Sequence, residues 1–215
     1  MAVTPQQASR KIRDLCALAP VIPVLVVRDA GRARPLAEAL IAGGLPVLEV
    51  TLRTPAALDA IAEMARVEGA IVGAGTLIAP SDVAAAAAAG ARFGVSPGSS
   101  DALLAAAEGA GLPLLPGAAT ATEAMRLLER GYDMQKFFPA EAAGGVAALR
   151  AIGGPLPRIG FCPTGGIGPD NAVDYLSLPN VPCVGGSWVA PSAPIEAGDW
   201  GAIEALARAG ALMRR

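Results

Sequence analysis

Of the 17 basic residues in this chain only two, Lys11 and Lys136, are lysine. Lys11 lies in a polar N-terminal segment beside Arg10, Arg13 and Asp14, where water can hold its charge. Lys136 precedes Phe137-Phe138-Pro139, a short apolar run that reads as the end of a buried strand. Burying an ammonium is costly unless it is paired, and burial in general favours the neutral amine. A neutral amine is a nucleophile that forms Schiff bases with carbonyl compounds, whereas a guanidinium stays protonated and cannot. A lysine kept here, in a chain that otherwise uses arginine, suggests chemistry. The plainer reading is a strand-end lysine whose head snorkels to water.

A carboxylate stands in a similar position. Val47-Leu48-Glu49-Val50-Thr51 places Glu49 inside an apolar strand, and Arg53 follows at the strand's exit. The structural reading of that spacing is a Glu49–Arg53 ion pair, because such groups are rarely buried without a partner. The catalytic reading is a general acid/base. Several turns carry glycine or proline where strands end: Gly73-Ala74-Gly75-Thr76, Val95-Ser96-Pro97-Gly98 and Leu115-Pro116-Gly117. Each alone is an ordinary turn. Two glycine pairs close the last strands, in Cys162-Pro163-Thr164-Gly165-Gly166-Ile167 and Val184-Gly185-Gly186-Ser187. In an α/β barrel that position often binds phosphate through backbone N–H groups.

The composition excludes several alternatives. The chain has no histidine, which rules out Ser-His-Asp triads, Cys-His pairs and His-based metal sites. Proton transfer therefore falls to a carboxylate, lysine, tyrosine, cysteine or water. Net charge is −2, and no basic block points to nucleic acid. No apolar run is long enough for a membrane span, and the N-terminus lacks the apolar region of a signal peptide. Cys16, Cys162 and Cys183 are odd in number and far apart, which suits reduced cytoplasmic thiols.

The elements that must position these residues alternate regularly. Thr4–Leu18 reads as an amphipathic opening helix, with Thr4 as N-cap and Pro5 at its first position. Strands are expected to begin near Val21, Val47, Ala70, Arg92, Leu114, Met134, Arg158 and Val181. Helices are expected at Pro35–Ile41, Pro55–Val67, Ser81–Ala89, Ser99–Glu108, Thr120–Arg130, Gly145–Ile152, Pro169–Leu176 and about Trp200–Met213. The alanine run Ala84–Ala89 is helix filler of high propensity. Alternating βα units with continuous apolar strands indicate a parallel sheet buried on both faces. The expected architecture is α/β, a single (β/α)8 TIM barrel over residues 1–215 with an extra N-terminal helix. A doubly wound sheet would usually bring a glycine fingerprint after its first strand, and Val27-Arg28-Asp29-Ala30-Gly31 is not one.

Taken together, the segments VIPVLVV, PLAEALIAGGLPVLEVTLRTPAAL, GAGTL, FGVSPG, LLPGAATATEA, KFFPAEAAGG, FCPTGGI and VGGSWV resemble the 2-keto-3-deoxy-6-phosphogluconate aldolases over nearly the whole chain. Asp133-Met134-Gln135 is the one stretch left unmatched, and Phe137 to Glu141 fixes the register beside it. The resemblance implies a class I Schiff-base aldolase of the Entner–Doudoroff pathway, usually trimeric, using neither cofactor nor metal. It implies Lys136 as the Schiff-base lysine and Glu49 as general acid/base. It implies Arg53 and Thr76 at the pyruvyl carboxylate, with Pro97, Phe138 and Thr164 lining the pocket. Gly165, Gly166, Gly186 and Ser187 are then the phosphate site. Two alternatives stay open at this point. One is a sister aldolase acting on 4-hydroxy-2-oxoglutarate or the 6-phosphogalactonate analogue. The other is a barrel that binds a phosphorylated metabolite without catalysis.

Overall fold

A computed structural model of the chain describes residues 2–213; Met1, Arg214 and Arg215, the ends of the expected domain, lie outside the described residues. The apolar runs form parallel strands: β1 (Val21–Leu25), β2 (Val47–Thr51), β3 (Ile71–Gly75), β4 (Phe93–Val95), β5 (Leu114–Leu115), β6 (Gly117–Ala118), β7 (Met134–Phe137), β8 (Gly160–Pro163) and β9 (Val184–Gly186). They pair as one run β5-β4-β3-β2-β1-β9 and a second run β6-β7-β8.

Two joints close these runs into a barrel. The expected fifth strand is cut in two by Pro116, yet the Pro116 carbonyl still accepts the Lys136 N–H at 2.8 Å. On the other side a bridge between Thr164 and Gly185 ties β8 to β9. Counting β5 and β6 as one interrupted strand gives the eight positions of the expected (β/α)8 fold, each followed by helix. The helices are α1 (Pro5–Cys16), α2 (Ala33–Ala42), α3 (Ala57–Met64), α4 (Pro80–Ala88), α5 (Asp101–Ala110), α6 (Ala121–Arg130), α7 (Gly145–Gly153), α8 (Ala172–Leu176), α9 (Ser192–Ala197) and α10 (Trp200–Ala211). The expected elements are all present. Their ends differ by a few residues; the last strand, for example, starts at Val184 rather than near Val181. Helix α9 was not expected. It is six residues long and contains Pro194.

Helix α1 forms the floor. Its start is fixed by a capping box in which Thr4 accepts from the Gln7 N–H while the Gln7 side chain accepts from the Thr4 N–H. Ile12 and Cys16 on its inner face pack into the barrel's lower layer with Ile22, Val47, Phe93, Leu115 and Met134. Cys162 and Cys183 complete that layer. The three thiols lie together in this layer, and all are buried.

Ser9 fastens this floor. Its Oγ donates to Asp133 Oδ1 at 2.6 Å and accepts from the N–H groups of Asp133 and Met134 at 3.0 and 2.9 Å. Those amides enter β7, the strand that carries Lys136. Ser9→Ala leaves buried donors without partners, each costing roughly 1–3 kcal/mol. Equilibrium unfolding in urea should show a loss of about 2 kcal/mol. A change below about 0.5 kcal/mol, the scale of an ordinary surface substitution, would show that the fastening is idle.

Candidate active site

Alternation along β2 sends Val47 and Glu49 into the barrel and Leu48 and Val50 toward the helices. On β7, Met134 and Lys136 point inward in the same way. Glu49 and Lys136 therefore meet above the lower core layer. Lys136 Nζ donates to Glu49 Oε1 at 3.2 Å, and the two residues are only 5% and 3% exposed. Lys136 does not snorkel to water. The expected alternative pairing, Glu49 with Arg53, does not form either. Arg53 lies past the end of β2 and is exposed, and its Nε instead donates to Thr76 Oγ1 at 3.3 Å.

The pair is poorly explained as a device for stability. At 3.2 Å two unit charges attract by about 5 kcal/mol at an effective dielectric of about 20. Withdrawing each ion from water costs several kcal/mol, and a well-packed apolar pair often does as well or better. The arrangement holds an amine and a carboxylate in contact at the barrel's carboxyl mouth, which is what carbonyl chemistry needs.

The surroundings are shaped to the pair. A Cβ on Gly75 would lie 2.3 Å from Glu49 Oε1 and 2.7 Å from its Cγ, so glycine there makes room for the carboxylate. Phe138 follows β7 half-buried, with its ring centroid 5.4 Å from Lys136 Nζ, a cation–π contact. Thr76, just after β3, has φ of 64°. A β-branched residue in the left-handed region is strained by about 1–3 kcal/mol, and such residues cluster at functional sites. Pro97 sits half-exposed after β4, its carbonyl 2.3 Å from where a Gly117 Cβ would stand. Thr164 is buried after β8, and Gly185 makes room for its side chain: a Cβ there would meet Thr164 Oγ1 at 2.3 Å.

The glycine turns stand beside this pocket. The Thr164–Gly185 bridge brings the Gly165-Gly166 turn next to Gly186 and the exposed Ser187. The loops after β7 and β8 are stapled together, Ala140 N–H to Thr164 O at 2.8 Å and Glu141 N–H to Gly165 O at 3.1 Å. Glu141 in turn accepts a hydrogen bond from Tyr175 on α8. Loss of water and the carboxylate beside it push the Tyr175 hydroxyl well above the usual phenol range, so it stays a donor. Reading the residues in order did not single out Gly75, Gly185 or the Glu141–Tyr175 brace. The only signal for the first two was a glycine at an inward strand position.

Gly166 has φ of +77°, and a Cβ there would meet the Glu141 side chain at 2.7 Å. Gly166→Ala should therefore distort this turn. If the turn holds phosphate, KM for a phosphorylated substrate should rise about tenfold, the scale of one charge-assisted hydrogen bond, with a smaller effect on pyruvate. Equal losses for both ligands would make the turn structural only.

Among the described residues, no group of three or more His, Cys, Asp or Glu side chains is arranged to hold a metal ion. None of the described helices is long and apolar enough to cross a membrane.

A parallel (β/α)8 barrel with a lysine–glutamate pair buried at its carboxyl mouth has the layout of a barrel enzyme for carbonyl chemistry. Comparison with known proteins narrows this class. The chain belongs to the KDPG and KHG aldolase family, whose model matches residues 12–206. It is 55% identical over 197 residues to the 2-dehydro-3-deoxy-phosphogluconate aldolase of Pseudoalteromonas atlantica, covering 91% of this chain and 92% of that one. The 2-keto-3-deoxy-6-phosphogluconate aldolase of Zymomonas mobilis ZM4, solved with 3-phosphoglycerate, superimposes with a TM-score of 0.91 at 48% identity. That match covers 96% of this chain and 98% of that one. The KDPG aldolase of Legionella pneumophila, solved with pyruvate captured at low pH as a covalent carbinolamine intermediate, superimposes with a TM-score of 0.89 at 46% identity. It covers 97% and 98% of the two chains.

Proposed function

We propose that this chain is a class I aldolase that cleaves 2-keto-3-deoxy-6-phosphogluconate to pyruvate and D-glyceraldehyde 3-phosphate. The observation that carries this reading is the buried Lys136–Glu49 contact at 3.2 Å, in a chain of the KDPG and KHG aldolase family. Glu49 takes a proton from the Lys136 ammonium, and the freed amine attacks the C2 ketone. The carbinolamine hydroxyl takes that proton back from Glu49 and leaves as water, which gives an iminium and frees the carboxylate to act again. That cation draws the electrons of the C3–C4 bond onto nitrogen while Glu49, directly or through water, removes the C4 hydroxyl proton. The aldehyde departs, and an enamine of pyruvate remains on Lys136. A proton from Glu49 to the enamine carbon restores the iminium, and water releases pyruvate.

On this reading Arg53 and Thr76 hold the pyruvyl carboxylate, and Pro97, Phe138 and Thr164 wall the pocket. Gly165, Gly166, Gly186 and Ser187 offer backbone N–H groups and a hydroxyl to the phosphate. The same amine and carboxylate would serve 4-hydroxy-2-oxoglutarate, which the family's description includes. We further infer a cytoplasmic homotrimer, the assembly implied by the family resemblance; a monomer mass in light scattering at micromolar concentration would overturn that assembly.

The deciding experiment is reduction with borohydride in the presence of pyruvate, followed by intact mass. A stable increase of one reduced pyruvyl group is expected. No adduct would remove the Schiff-base reading and leave a barrel that binds without catalysis.

A further inference from the structure

We propose that Arg28 is a specificity residue that reads the phosphate end of the substrate, an assignment that rests on the aldolase reading above. Val24, Val26 and Arg28, along and beyond β1, line one side of a cavity of about 370 Å³. Ser187 and Trp188, after β9, line the other side. Strands β1 and β9 are hydrogen-bonded neighbours, with Pro23 opposite Gly186. The cavity therefore borders the glycine turns through Ser187.

Among the described residues, a positive charge not already committed to a carboxylate is what this end of the mouth otherwise lacks. Backbone N–H groups and a serine hydroxyl offer dipoles to a phosphate but no countercharge. Lys136 is held by Glu49, and Arg53 stands at the exit of β2 against Thr76. Arg28 is exposed and, among the described residues, has no carboxylate within ion-pair distance. Its neighbour Asp29 is already engaged, accepting from the Gly31 N–H at 2.9 Å and pairing with Arg32 at 3.5 Å. Glu196 borders a smaller adjoining cavity with Arg28 and Arg32 but forms no ion pair with Arg28. An uncommitted guanidinium lining one cavity with the Ser187 hydroxyl is suited to clamp a phosphate with two parallel N–H···O bonds. A solvated surface arginine would contribute next to nothing to binding or stability, so the two roles separate cleanly by experiment.

Arg28→Ala and Arg28→Lys would be assayed on 2-keto-3-deoxy-6-phosphogluconate and on 4-hydroxy-2-oxoglutarate, which carries no phosphate. Removing the guanidinium should lower kcat/KM for the phosphorylated substrate about 10- to 100-fold, chiefly through KM. The loss on 4-hydroxy-2-oxoglutarate should be at least tenfold smaller, and lysine should recover part of the difference by restoring the charge. Inorganic phosphate, titrated calorimetrically, should bind the alanine variant more weakly by a similar factor. Equal losses on the two substrates, or no loss on either, would overturn the assignment. Should the parent protein form no pyruvate adduct and cleave neither substrate, the aldolase reading itself fails. The calorimetric comparison then decides Arg28 alone, and equal phosphate affinity in parent and variant rejects it.

Discussion

Lys136→Arg is expected to abolish aldol cleavage, by about 10⁴-fold or more, the scale seen when an essential nucleophile is removed. The guanidinium keeps a positive charge against Glu49, so the buried carboxylate is not left alone and the fold should survive. What it loses is the ability to become a neutral amine. Three measurements check this: circular dichroism for the fold, a coupled assay for release of the aldehyde, and intact mass after borohydride treatment with pyruvate. The variant should be folded, inactive and unlabelled. Labelling that persists would move the Schiff base to Lys11 or the α-amine, and the buried pair would then be a structural curiosity of the barrel.

Glu49→Gln should cost about 10²–10⁴-fold in cleavage, the usual worth of a positioned acid–base group. The amide keeps the shape and can still accept from Lys136 Nζ, but it neither takes nor returns a proton. The loss should be clearest in exchange of pyruvate methyl protons with D₂O, because once the imine has formed that step needs only a base at the methyl carbon. Gly75→Ala offers a second route to the same result with the carboxyl intact. The new Cβ would occupy space 2.3 Å from Glu49 Oε1 and push the carboxylate off the amine. Parental exchange rates in both variants would reduce Glu49 to an electrostatic partner and assign the proton to water.

Legibility in the sequence followed physical range. Strands buried on both faces announce themselves as unbroken apolar runs, and the inward parity of Glu49 on β2 follows from alternation within five residues. The cap at Thr4 is equally local. The partner of Glu49 was not legible, because Lys136 lies 87 residues away and only the closed barrel brings them together. Arg53 is close in sequence but stands past the strand's end, so proximity along the chain pointed to the wrong cation. Leu115-Pro116-Gly117 read as the turn that ends its strand, whereas the backbone beyond Pro116 resumes the same direction as β6. Gly75 and Gly185 looked like turn glycines, but what needs them is a side chain on the next strand. Glu141 and Tyr175, 34 residues apart, gave no periodic signal at all.

The floor of the barrel has a further consequence. All three cysteines of the chain face that one layer, sealed by α1. Contact with Cys16 and Cys162, together with loss of water, holds the Cys183 thiol well above its usual range. A thiol reagent requires a path to the sulfur as well as a thiolate, and the closed floor supplies no path. The pace at which a disulfide dye colours the native enzyme therefore times how often the first helix lifts away. This clock is built into the natural sequence, needs no added label, and should run faster once Ser9 no longer pins the helix down.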